Sequence, residues 1–192
     1  GSLTVNGGLG SATVTVAVNS TAKANSDLIN AQTAKTGVTA TARTEVNLAF
    51  GAVGSYSLNL RSDNGTAQTV SFAVTATGTA DGLGAAVAAI NDQASKTGVT
   101  ASLNAAGTAV ILTNASGNDI TVSDTAVQNA GAVTVNKIDA AGALGATSVS
   151  LAADTTADDA TVVGYITLDS EKSFSADVDT SNILSADASS TL

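Results

Sequence analysis

Residues 29–40 read INAQTAKTGVTA and residues 90–101 read INDQASKTGVTA, one phrase written twice, 61 positions apart. Nine of the twelve aligned residues are identical: Ile, Asn, Gln, Lys, Thr, Gly, Val, Thr and Ala. A phrase repeated in this way either holds a site that is used twice or marks a structural unit that is built twice.

The surroundings of each copy favour the second reading. Upstream of the later copy, Leu83, Val87, Ile90 and Ala94 recur at helical spacing and form one apolar stripe. Thr79 or Asp81 can cap the start of that helix, Lys96 suits its negative end, and Gly98 can take the left-handed stop position. The earlier segment, STAKANSDLINAQTAK (residues 20–35), reads the same way. It turns Leu28, Ile29 and Ala31 inward and is followed by Gly37. In both copies Val-Thr-Ala then opens a strand.

Elsewhere the dominant period is two. Val14, Val16 and Val18 alternate with small or polar residues. Val38, Ala40, Ala42, Val46, Leu48 and Phe50 share one face, opposite Thr39, Thr41, Arg43, Glu45 and Asn47. Tyr56, Leu58 and Leu60 make a further strand, and Val70, Phe72 and Val74 its partner. Asp63-Asn64-Gly65 between them supplies residues that tolerate a left-handed turn. After the second copy, strands are expected around Val99–Leu103, in TAVILT (108–113) and in ITVSD (120–124). From about Gly131 the helical pattern vanishes, and AVTVNKI, TSVSLAA, TVVGYITLD and KSFSADVD read as strands, with ADTTADDA as a loop. The expected fold is α+β and mostly antiparallel β. It has two short helices, two β-α-β-β subunits and a C-terminal all-β return. The first subunit is expected over 1–62, the second over 63–130, and the return over 131–192, where it packs with the N-terminal strand through Leu3 and Val5. The last dozen residues read as a linker.

Composition limits the chemistry. Seven basic against sixteen acidic residues give a net charge of −9, which offers no basic patch for nucleic acid or an anionic membrane surface. No apolar run is long enough to span a bilayer as a helix, and no signal peptide is visible. The chain has no Cys or His, so thiol catalysis, imidazole acid–base chemistry, disulfides and zinc sites of the usual ligands are excluded. Met, Trp and Pro are also absent, and the aromatic residues are two Tyr and three Phe. A core of small aliphatic side chains is expected.

One set of motifs suggests an enzyme. Ser20-x-x-Lys23, Ser62-Asp63-Asn64 and Lys-Thr-Gly at 35–37 and 96–98 follow the order of the serine β-lactamase and penicillin-binding signature. On that reading Ser20 attacks, Lys23 activates it, and Lys96-Thr97-Gly98 holds the substrate carboxylate. Each motif, however, already has a turn or helix-stop role, and no single active site needs Lys-Thr-Gly twice. Gly7-Gly8-Leu9-Gly10 is not followed by a helix and reads as a turn. Asp154, Asp158 and Asp159 match no calcium-loop spacing and read as a solvated loop. Asn19, Asn64 and Asn114 head Asn-x-Ser/Thr sequons, and outward Ser and Thr residues are candidate sites for O-linked sugars. No catalytic, cofactor-binding or metal site is assigned.

The doubled phrase, with SLNAAGTAVILTNASGNDITV after its second copy, resembles the IN motif of bacterial flagellins, found in their variable central region and in the filament cap protein. The segment VVGYITLDSEKSFSADV is similar to the return segment of pseudomonad-type flagellins. The resemblance implies a non-catalytic outer domain displayed on the extracellular flagellar filament, contributing to motility and antigenicity, with glycan display as a further role. It also implies neighbouring flagellin subunits as partners through shaft domains that this chain lacks, antibodies or surface ligands as further partners, no nucleic-acid or membrane partner, and a monomer in isolation. The alternatives are an outer domain of the filament cap and an adhesin-type binding module.

Overall fold

The computed structural model describes residues 1–179. The first half of the chain contains β1 (Ser2–Gly7), β2 (Gly10–Thr15), α1 (Ala22–Asn30), α2 (Thr33–Thr36), β3 (Thr39–Phe50), β4 (Gly54–Arg61) and β5 (Gln68–Val74). It continues with α3 (Ala80–Asn91), α4 (Ala94–Thr97), β6 (Val99–Leu103), β7 (Val110–Asn114) and β8 (Ile120–Asp124). The remainder is β9 (Val133–Ile138), β10 (Leu144–Leu151), β11 (Asp159–Val162), β12 (Tyr165–Asp169) and β13 (Ser175–Asp179). The fold is α+β, and every described strand pairing whose register is resolved is antiparallel. The chain forms two compact units, one from Gly1–Ala42 with residues from Ile166 onward, the other from Arg43–Tyr165.

In the first unit β1 is the central strand of a sheet ordered β13-β1-β2. Leu3 faces Val14 on one neighbour and Val178 on the other, and Val5 faces Ala12 and Ala176. The opening residues of β3 pair with β12. Leu3, Val5, Val14, Val16, Ile29, Val38 and Ala40 form the core, with Ile166, Leu168, Phe174 and Ala176 packed against it. The β1–β2 hairpin closes through Gly8-Leu9, with Gly7 opposite Gly10.

The second unit has two sheets, β11-β8-β4-β5 and β10-β9-β3-β7-β6, the latter drawing on the residues of β3 from Thr44 onward. Helix α3 packs on β5 and β6. Thr79 caps this helix by accepting from the Gly82 amide, and Leu83, Ala86 and Ile90 are buried beneath it. Three aromatic residues fill one part of the core: Phe50 meets Tyr56 and Phe72 edge-on at 4.9 and 5.5 Å, and Tyr56 stacks on Phe72. Such edge-on and offset contacts place a positive ring edge against a negative face. The Tyr56 hydroxyl donates to the Ala52 carbonyl at 2.7 Å.

Four local expectations are corrected. Each expected helix is two, broken after Asn30 and Asn91, because the chain tightens at Gln32 and Gln93 (ψ 3° and 2°) before a last one-turn segment. Leu28 points outward, since the inward face of α1 is Ala22, Asn25, Ser26 and Ile29. Val18 lies beyond the end of β2 and is 87% exposed. The loop after β4 contains no left-handed residue. It is wider than a tight turn and is held by the Asn64 side chain, which accepts from the Ser62 amide and donates to the Leu60 and Thr66 carbonyls. The expectation for the last dozen residues lies outside the described part of the chain.

The β1–β2 hairpin passes very close to the end of α2. A Cβ placed on Gly7 would lie 1.9 Å from the Thr36 carbonyl oxygen, a backbone atom that cannot rotate away. Gly7→Ala is therefore expected to destabilise the first unit by about 1–3 kcal/mol, the usual range for overpacking. Gly65, which has open space around it, is the control: Gly65→Ala should leave the urea midpoint nearly unchanged. Equal midpoints for the two variants would show that the close approach does not constrain the fold.

Candidate functional site

The residues that the two phrases share converge on one arrangement, built once in each unit. Its centre is an asparagine. The side-chain amide of Asn30 donates to the carbonyl of Ala40 (2.8 Å), and its oxygen accepts from the amide of the same residue (2.7 Å). Asn91 treats Ala101 identically, at 2.9 and 2.7 Å. A carboxamide carries both a donor and an acceptor, so it can stand in for the backbone of a neighbouring strand. That matters at β6, the edge of its sheet, where unpaired N–H and C=O groups would otherwise be open to another chain.

The other shared residues fix the approach to this clamp. Ile29 and Ile90, the residues just before each asparagine, are buried. Thr36 and Thr97 are fully buried, and each hydroxyl donates to the carbonyl of Gln32 or Gln93 while accepting from the amide of Val38 or Val99. One hydroxyl thus joins the helix end to the strand start. Gly37 and Gly98 adopt φ of 72° and 70°, the left-handed conformation that lets the chain leave the helix. Lys35 and Lys96 are exposed in the last turn, where a cation suits the helix dipole. The positions at which the copies differ, Ala31/Asp92, Thr33/Ala94 and Ala34/Ser95, are all exposed or half-buried.

The motifs of the acyl-transferase reading are engaged in local structure. The Ser20 hydroxyl donates to the Ala17 carbonyl and to Asn25 Oδ1. Lys23 Nζ is paired with Asp27, one helical turn on. Ser62 and Asp63 receive the buried Asn114 amide nitrogen at 2.9 and 2.7 Å. Asp63 also accepts from Asn118 and sends its own amide to the Thr97 carbonyl. Burial of the Asn114 nitrogen removes it as a glycan acceptor, and Asn64 is engaged in its loop, whereas Asn19 is exposed.

The acidic loop is likewise engaged in its own backbone. Asp154 accepts from the Thr156 amide and Asp158 from the Ala152 amide. Among the described residues no three acidic side chains converge as a metal site would require. Sequence reasoning overlooked Asp124, which is 1% exposed. Its Oδ1 accepts from the Asp158 amide at 2.6 Å, and burial pushes its carboxyl above the usual range, with Asp158 and Asp154 adding to that push. Glu45 was also missed. It accepts from Tyr165 Oη at 2.8 Å and pairs with Arg43. Alternation places Asp124 on the inward face with Ile120 and Val122, a signal that the sequence held; Glu45 lies on the opposite parity to the buried Val46, and nothing in the pattern marks it.

Two predictions follow from this geometry. Asn91→Ala removes two hydrogen bonds and strands a peptide group at the edge of β6, so the second unit should lose about 1–3 kcal/mol. Asn30→Ala should do the same to the first unit. Gln should not rescue either position, being one methylene too long, and an unchanged denaturation midpoint would remove the clamp from the account. The second prediction concerns pH. Burial, then the bond to Glu45 and its charge, push the Tyr165 phenol up to about 12 from an ordinary value of 10.0. The neutral phenol is favoured in the folded chain, so its contribution is fully present below about pH 10 and is lost as pH rises toward 12. Between those limits the wild type should lose more stability than Tyr165→Phe; parallel urea-midpoint profiles would contradict the bond.

A family model described as the flagellin hook IN motif matches the chain twice, over residues 2–64 and 57–116. No curated protein is significantly similar to it.

Proposed function

The chain belongs to the flagellin family through its two IN motifs, and from that premise we propose that it is a structural module displayed on the outside of the flagellar filament. One observation carries the proposal beyond family membership: the shared asparagine and the shared buried threonine of each copy hold a helix end to a strand, and the positions that differ are exposed or half-buried. Repetition of that kind preserves a scaffold and leaves its surface free to vary. The role is then mechanical and antigenic, without catalysis. The module is carried by shaft segments that polymerise with neighbouring subunits, and its exposed β10 hydroxyls at Thr147, Ser148 and Ser150 are positions for O-linked sugars.

Net charge suits this setting. A charge of −9 gives neighbouring modules a mutual repulsion that opposes collapse of one filament on another. The described residues contain no helix long and apolar enough to cross a membrane.

Antibodies raised against this chain, applied to intact flagella and viewed by immunogold electron microscopy, test the reading. Decoration along the whole filament is expected. Gold confined to the tip would assign the module to the cap protein instead, and gold on the cell surface away from flagella would assign it to an adhesin. Covalent labelling of Ser20 by a fluorescent penicillin would overturn the non-catalytic reading altogether.

A further inference from the structure

We infer that the whole second unit occupies, within the chain, the place of one loop of the first copy of the motif. In the second copy, β6 is followed by the loop Asn104–Ala109 and then by β7 and β8. Strand β7 pairs with β6, and β8 pairs with β4. The first unit repeats this plan with strands from the far end of the chain: β12 pairs with the opening of β3, and β13 with β1. The sheet order β13-β1-β2 is the counterpart of β8-β4-β5.

The correspondence extends to atoms. Thr39 Oγ1 donates to the Asp169 carbonyl at 3.3 Å, and Thr100 Oγ1 donates to the Thr113 carbonyl at 3.4 Å. With Thr39 matched to Thr100 and Asp169 to Thr113, Ile166 and Leu168 fall on Val110 and Leu112, and Ala176 and Val178 on Ile120 and Val122. All four residues of the C-terminal pair face inward in part, as their counterparts do fully. The two successive strand pairs share the same spacing, with strand starts at 110 and 120 in one and at 165 and 175 in the other. Under this matching the unit boundaries at Ala42/Arg43 and Tyr165/Ile166 fall on Leu103/Asn104 and Ala109/Val110, the two ends of the loop in the second copy.

The first copy is therefore not complete within residues 2–64. Its last two strands arrive only after Arg43–Tyr165 has been threaded through. That insert holds its own ends together, since Tyr165 Oη bonds Glu45. A folded insert with adjacent ends closes a loop at little entropic cost, whereas an unfolded one of the same length must be closed against the freedom of the whole segment. Dependence then runs one way: the first unit relies on the folded second unit and on Ile166–Val178, while the second unit relies on neither.

Hydrogen exchange read by mass spectrometry on the full chain tests this with two variants. Leu168→Asp places a charge against the core of the first unit, and Leu112→Asp places one in the fully buried core of the second. For Leu168→Asp, exchange should accelerate by about tenfold or more in residues 2–16 and 22–40 and stay near wild type in 54–61, 68–74 and 80–124. For Leu112→Asp, exchange should accelerate in the second unit and, more weakly, in the first. Should Leu168→Asp not yield soluble protein, Phe174→Ala is the milder substitution expected to give the same pattern. Retained protection of 22–40 in the C-terminal variants would overturn the inference. So would loss of protection in 44–61 alongside it, because the first copy would then end where the family match ends.

Discussion

A single asparagine amide bonded to both polar groups of one strand residue is the constraint on which each unit depends. With no cysteine, no histidine and few aromatic residues, the fold relies on aliphatic packing and on hydrogen bonding. The clamp contributes to both. Its two bonds satisfy the N–H and C=O of one strand residue, and the isoleucine just before it is seated in the core. The buried threonine and left-handed glycine that follow let the chain return along the strand being clamped.

The units differ in what surrounds the clamp. The second has a two-sheet core with an aromatic cluster and a well-capped helix, α3. The first has a smaller core, and the four side chains packed against it, Ile166, Leu168, Phe174 and Ala176, come from the far end of the described chain. Small domains bury a lower fraction of their surface and are more marginal, so the first unit has less to lose before it unfolds. Exposed positions can vary in sequence while the clamp, the glycine and the threonine keep the scaffold.

Much of this was readable in the residues. The helix stop at Gly37 and Gly98, the cap at Thr79 and the pairing of the Tyr56 strand with the Phe72 strand rest on local rules, and the structure contains all of them. What misled was also local. Leu28 is apolar and sits beside Ile29, but a nine-residue helix buries one narrow face, and here alanine, serine and asparagine occupy it. Asn64-Gly65 has the composition of a left-handed turn, yet the Asn64 side chain makes the bonds that such a turn would make with its backbone. The asparagine of the repeated phrase could be counted in the sequence as identical. Its target could not, because Ala40 and Ala101 are reached only once helix and strand lie side by side.

The sequence by itself determined where the elements are, because a period of two, a period near 3.6 and a glycine after a helical stripe are properties of neighbouring residues. It determined that the phrase is a unit built twice, through nine identities in twelve residues. Only the tertiary structure decided which strands complete which copy. The successive strands β7 and β8, and likewise β12 and β13, carry the same alternation and the same spacing, so either set satisfies the pattern that the first copy requires. The choice between them is made by pairing across more than a hundred residues of chain, with Leu3 beside Val178 and Thr39 against Asp169. Local periodicity holds no record of such a pairing, because its partners lie more than a hundred residues apart in the chain.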